Sequence, residues 1–119
     1  MLRRRSVPVN PRLRDPLVDR LCRALLTLRS VEECYRFLED LCTIAEVKAL
    51  AARLEVARLL AQGRTYEEIE RRTGASSATI SRVRRFLFYG ADGYRRVLAR
   101  LEGATRPAGP GRRGRGRAS

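Results

Sequence analysis

Leu17, Leu21, Leu25 and Leu28 recur at intervals of four, four and three residues, the spacing that lines one face of a helix. Ser30 is followed three residues later by Glu33, Thr43 by Glu46, and Thr65 by Glu68. A hydroxyl residue with a glutamate at that distance is a capping box, in which each side chain serves the other's backbone N–H. The three boxes therefore predict three helix starts. The first opens a helix with Tyr35, Leu38, Leu41 and Cys42 on its apolar side. The second opens a long helix through Val47, Leu50, Leu54, Ala57 and Ala61 that stops at Gly63. The third opens a short helix ending at Gly74. A fifth helix starts near Ser76 or Ser77, runs to about Tyr89 and is closed by Gly90; Asp92 then caps a last helix with Tyr94, Val97, Leu98 and Leu101. No stretch alternates with period two and there is no Asn-Gly hairpin signal. The pattern predicts an all-α chain of about six helices with short joints.

Leu54, Val56, Ala57, Leu59 and Leu60 spread over more than one narrow stripe of the third helix. A six-helix chain of this size has little interior in which to hide them, so a partner chain is expected to cover some of that surface. The alternative is a monomer with a broad core.

The joint between the fourth and fifth helices has its own logic. A short helix, a glycine-containing turn and a second helix make a helix-turn-helix, here over about 65–89. Ile69 must meet Ile80 and Val83 across the turn, Gly74 permits a left-handed backbone, and Ala75 is small enough for close approach. With Ile80, Val83 and Leu87 on the inner face, Ser77, Ala78, Ser81, Arg82 and Arg85 point away. Small hydroxyl residues at a helix N-terminus fit the major groove, where Ser76, Ser77 and Thr79 can meet base edges or phosphates. Arginines a turn or two further on reach the sugar–phosphate backbone. Arg71 and Arg72 add positive potential, and Thr65 and Tyr66 open a helix whose free N–H groups could take a phosphate oxygen. Glu70 stands where helix-turn-helix proteins often place alanine, so the helix must turn it outward.

Charge agrees with that reading. The 119 residues carry a net charge of +13, which points to a polyanion, nucleic acid before membrane. Residues 1–14 hold five arginines and no acid, and residues 103–119 hold five arginines and five glycines. The expected organisation is a flexible basic arm over 1–14, one helical domain over 15–102 and a disordered Gly/Arg-rich tail over 103–119. Between Arg71 and Ala91 there are five arginines and no acid. Cys22, Cys34 and Cys42 lie in apolar helical patterns without CxxC spacing, so buried reduced thiols and a cytoplasmic setting are expected. The absence of His removes His-based catalysis and Cys/His zinc sites within one chain. Serines near arginines lack a general base, so no enzyme is expected. No apolar run reaches membrane-spanning length.

The stretch "RLEVARLLAQGRTYEEIERRTGASSATISRVRRFLFYG", from Arg53 to Gly90, resembles the Trp repressor superfamily. With "SVEECYRFLEDLCTIAEVKALAARLEVA" upstream and "ADGYRRVL" downstream, it is most similar to the Trp-repressor-related YerC/YecD-type branch. The resemblance covers about Asp15 to Leu101 and implies an intertwined homodimer, palindromic operators read by two heads about one helical turn apart, and repression of amino-acid-biosynthesis-type genes. It also implies a candidate effector pair: Arg53 and Arg82 match the arginines between which the Trp repressor holds tryptophan. Val83 replaces a glycine and Phe86 a serine of that family's pattern, and both add bulk where an indole would lie. Tryptophan is therefore not the expected corepressor; another small effector, or contacts to phosphate and acidic neighbours, are the readings left for those arginines. No other cofactor is expected. Two function classes stand: a sequence-specific dimeric repressor, and a non-specific architectural protein that binds double-stranded DNA through its basic tails.

Overall fold

The computed structural model describes residues 8–105, with side chains to residue 103. The basic arm up to residue 7 and the Gly/Arg-rich tail from residue 106 lie outside the described residues. All regular structure among the described residues is helical. A single 3-10 turn at Pro11–Leu13 precedes α1 (Pro16–Leu25), α2 (Val31–Leu41), α3 (Ile44–Ala61), α4 (Tyr66–Thr73), α5 (Ser77–Tyr89) and α6 (Gly93–Thr105). α6 thus runs three residues past the domain boundary expected after Glu102. No helix among the described residues is long and apolar enough to cross a membrane.

The starts follow the local chemistry. Asp15 accepts the amides of Leu17 and Val18 at 2.8 and 3.0 Å, with Pro16 at the first helical position where its missing N–H costs nothing. Thr43 with Glu46 and Thr65 with Glu68 form complete capping boxes. The Ser30 box closes differently. Ser30 accepts the amide of Glu33, but the Glu33 carboxylate takes the amide of Arg29, 2.8 Å away, instead of that of Ser30. The ends are glycine turns at Gly63 (φ +83°) and Gly74 (φ +73°), both in the left-handed region where a Cβ is resisted. α1 ends a turn before Leu28. Successive amides of Thr27 and Leu28 fall to carbonyls three residues back, and the Thr27 hydroxyl donates to the Ala24 carbonyl, which unwinds the last turn. Asp92, at φ +75°, precedes α6; its carbonyl accepts the amide of Arg96 and its carboxylate the Arg96 guanidinium.

α3 is the axle, packing against α2, α4, α5 and α6. Its C-terminal half supplies Val56, Ala57, Leu59 and Leu60 to a core completed by Ile69 of α4 and Ile80, Val83 and Leu87 of α5. Tyr66, Ala75, Phe88, Tyr94 and Leu98 pack against this cluster from outside. Val56, Ala57, Leu59 and Leu60 of the broad apolar arc of α3 are therefore covered by the chain's own α4, α5 and α6, while Leu54 stays half-buried. The surplus lies elsewhere. α1, α2 and the first half of α3 contain no buried residue, and Leu17 is 80% exposed, Tyr35 69% and Ile44 76%. The cysteines depart from the expected burial: Cys22 is exposed, and Cys34 and Cys42 are half-buried among the described residues. The radius of gyration, 16.1 Å, exceeds the roughly 13 Å of a compact chain of this length, consistent with a projecting arm.

Candidate nucleic-acid interface

The two helices of the reading head are locked by apolar contact and by one residue in the turn. Ile69, Ile80 and Val83 meet in the core as the spacing requires. Thr73 ties the turn together: its hydroxyl donates to the Ile69 carbonyl at 2.7 Å and accepts the Ala75 amide at 3.1 Å. The pattern reading missed Thr73, although a threonine beside a helix-ending glycine is a recognisable signal for such a stitch. Glu70 is exposed, turned outward as the crossing demands.

Ser76, not Ser77, caps α5. Its oxygen accepts the Thr79 amide at 3.2 Å, and its hydroxyl donates to the Thr79 hydroxyl at 3.2 Å. Two of the candidate contacts, Ser76 and Thr79, are thus engaged with each other, and Thr79 is half-buried. Ser77, Ala78, Ser81, Arg82 and Arg85 are all exposed, with Ile80, Val83 and Leu87 buried beneath them. One face of α5 is inward and apolar, the other outward, small and basic.

The α4 side is less open to an anion. Thr65 already accepts the Glu68 amide, and the Glu68 carboxylate takes the Thr65 amide back. Glu67 and Glu68 both sit in the first turn, so a phosphate there would face two carboxylates. The hydrogen bond from Thr65, with Arg64, Arg72 and Arg71 nearby, holds the Glu68 carboxyl below its ordinary value. Tyr66 packs on the core, and its hydroxyl lies 3.4 Å from that of Ser81, linking α4 to α5.

These contacts divide the basic patch. Arg71 and Arg72 are exposed, but Arg72 also acts on Glu55, whose carboxyl is held low chiefly by its hydrogen bond from Arg58. Glu55, distant in sequence, and Glu68, just before the window, thus offset part of the charge that the acid-free window predicts. Arg82 and Arg85 make no ion pair among the described residues and lie instead over the ring of Phe86, at 5.0 and 5.3 Å from its centroid. Arg84 points the other way, over Phe88, which Arg95 also approaches while donating to the Leu87 carbonyl.

Arg53 is half-buried on α3 and Arg82 is exposed on α5. A groove of about 660 Å³ opens between α3, α5 and α6, lined among others by Arg58, Phe88, Arg95 and Leu98. Neither Arg53 nor Arg82 lines it.

Comparison with known proteins places this head in context. The chain is 55% identical over 91 residues to the uncharacterized protein YerC of Bacillus subtilis (strain 168), covering 76% of this chain and 88% of that one. The crystal structure of a TrpR-like protein from Eubacterium eligens ATCC 27750 superposes with a TM-score of 0.74 at 51% identity, over 77% of this chain and 95% of that chain. A candidate Trp repressor from Staphylococcus aureus gives 0.73 at 49% identity, over 76% and 91%. The Trp repressor protein family model matches residues 17–102, which takes in every described helix but the last few residues of α6 and the start of α1. The chain therefore belongs to the Trp repressor family of DNA-binding regulators, in its YerC-type branch.

Proposed function

We propose that this protein is a sequence-specific transcriptional repressor that binds double-stranded DNA as a homodimer. The observation that carries the reading is the two-faced α5: Ile80, Val83 and Leu87 anchor it, while Ser77, Ala78, Ser81, Arg82 and Arg85 stand exposed. In this reading Ser77, Ala78 and Ser81 meet base edges, and Thr79 shapes the helix start with Ser76. Arg82 and Arg85 grip phosphates, and Arg71 and Arg72 contribute a weaker, partly compensated attraction. Thr65 and Tyr66 flank the backbone contact from α4.

The dimer is supported by the uncovered apolar faces of α1, α2 and early α3. Two heads related by a two-fold axis read a palindrome. Regulated genes of the amino-acid-biosynthesis type follow from family membership alone. Such a regulator works in the cytoplasm beside the nucleoid. Arg53 and Arg82 remain the candidate effector pair, with tryptophan disfavoured by Val83 and Phe86.

The test is selection of fragmented host genomic DNA by the full-length chain, near physiological salt with excess competitor. Recovery of a few promoter fragments sharing a palindrome is the expected result. Diffuse recovery, unchanged by added amino acids, would instead support the architectural reading, in which the basic tails supply the affinity.

A further inference from the structure

Phe86 is 41% exposed and belongs neither to the core nor to the residues packed against it. An apolar ring left on an otherwise polar and basic helix face needs a role. Its surroundings supply one. The guanidiniums of Arg82 and Arg85 lie 5.0 and 5.3 Å from the ring centroid, inside the distance at which a cation is attracted to an aromatic face. Arg82 precedes Phe86 by four residues, the spacing at which helical side chains meet.

Long arginine side chains on a helix surface otherwise sample many rotamers, and each must be ordered when it grips a phosphate. Arginine also keeps its planar donor edge free while its face is stacked. From this geometry we propose that Phe86 is a positioning residue: it holds Arg82 and Arg85 together in the orientation in which both meet the DNA backbone. The proposal rests on the DNA-binding reading above and deepens it. Phe86 itself touches no DNA in this scheme; it lowers the ordering cost of the two residues that do.

The test uses the full-length chain and a labelled double-stranded DNA of random sequence. Phe86→Leu keeps an apolar side chain but removes the ring. It weakens binding about fivefold to thirtyfold, the value of two exposed cation–π contacts, and leaves the melting temperature and the oligomeric state unchanged. Phe86→Tyr restores binding. In the Arg82→Ala/Arg85→Ala background, Phe86→Leu has no further effect, because the ring acts only through those arginines. Independent of DNA, the side-chain protons of Arg82 and Arg85 show upfield ring-current shifts by NMR that disappear in Phe86→Leu.

Equal binding by wild type and Phe86→Leu, or a loss that persists in the double-arginine background, would overturn the proposal. So would a change of oligomeric state caused by Phe86→Leu, which would assign the ring to a subunit contact. If the wild type fails to bind DNA while the ring-current shifts are present, the DNA-binding reading falls and the clamp itself stands. If the shifts are absent, the clamp falls whatever the DNA result.

Discussion

The C-terminal half of α3 with α4 to α6, and the N-terminal α1, α2 and early α3, are built from similar residues and have opposite fates. In the first region eight apolar side chains are buried, five of them at 0% exposure. In the second none is, although Leu17, Leu21, Leu25, Val31, Leu41 and Leu50 are as apolar as anything in the head. The difference is coverage. α3 is wrapped by α4, α5 and α6 from its middle onward, whereas α1 has no extensive packing partner among the described residues. A helical head can be stable by itself, but an arm with that much exposed leucine is stable only when something lies on it. One region presents the candidate reading surface; the other leaves open the apolar faces that the proposed dimer would cover.

The sharpest break of this comparison is inside the head. Ile80→Ala removes a fully buried side chain at the junction of α3, α4 and α5. It should cost about 3 kcal/mol in urea unfolding, at every protein concentration. The matching change in the arm behaves differently. Leu17→Asp should leave the head folded but weaken self-association about tenfold to a hundredfold, the value of one buried leucine. Sedimentation over a concentration series checks it, and a dimer as tight as wild type would show that the arm is not the dimer surface.

Gly90→Ala probes where α5 ends. Gly90 is buried, and a Cβ there would collide with the carbonyl oxygen of Phe86. Backbone must shift to accept it, so thermal unfolding should show a loss of about 1–3 kcal/mol. Gly93→Ala, with nothing within 4 Å of its added Cβ, is the control and should be close to neutral.

The smallest effect is the pH dependence of the α4 cap. The folded-state pKa of Glu68 is lowered, so its contribution is present above the ordinary carboxylate value and is lost as the pH falls through the lowered one. Glu68→Gln keeps a hydrogen-bonding side chain for the box but removes the charge. Its stability should therefore decline less than that of wild type between about pH 5 and pH 3.

Most of the local architecture could be read directly from residue order. The capping boxes at Thr43 and Thr65, the glycine stops at Gly63 and Gly74, and the Ile69–Ile80–Val83 contact across the turn appear where their spacing places them. The outward set Ser77, Ala78, Ser81, Arg82 and Arg85 follows from three anchored positions on one helix. What was not legible involved neighbours far apart along the chain. The acid-free window from Arg71 gave no sign that Glu55 of α3 lies near Arg72. Nor did the apolar arc of α3 show which helices would cover it, or that Cys22 would stay exposed.

The sequence by itself determined six helices, the capping boxes of α3 and α4 and the two-faced α5, because helix signals act between residues three or four apart and do not depend on what lies beyond the turn. Only the tertiary structure decided which apolar faces are satisfied within one chain. It also decided which arginines have a carboxylate nearby, and that Phe86 lies beneath two others. Burial and electrostatics depend on the distance through space between elements, and no local pattern carries that distance.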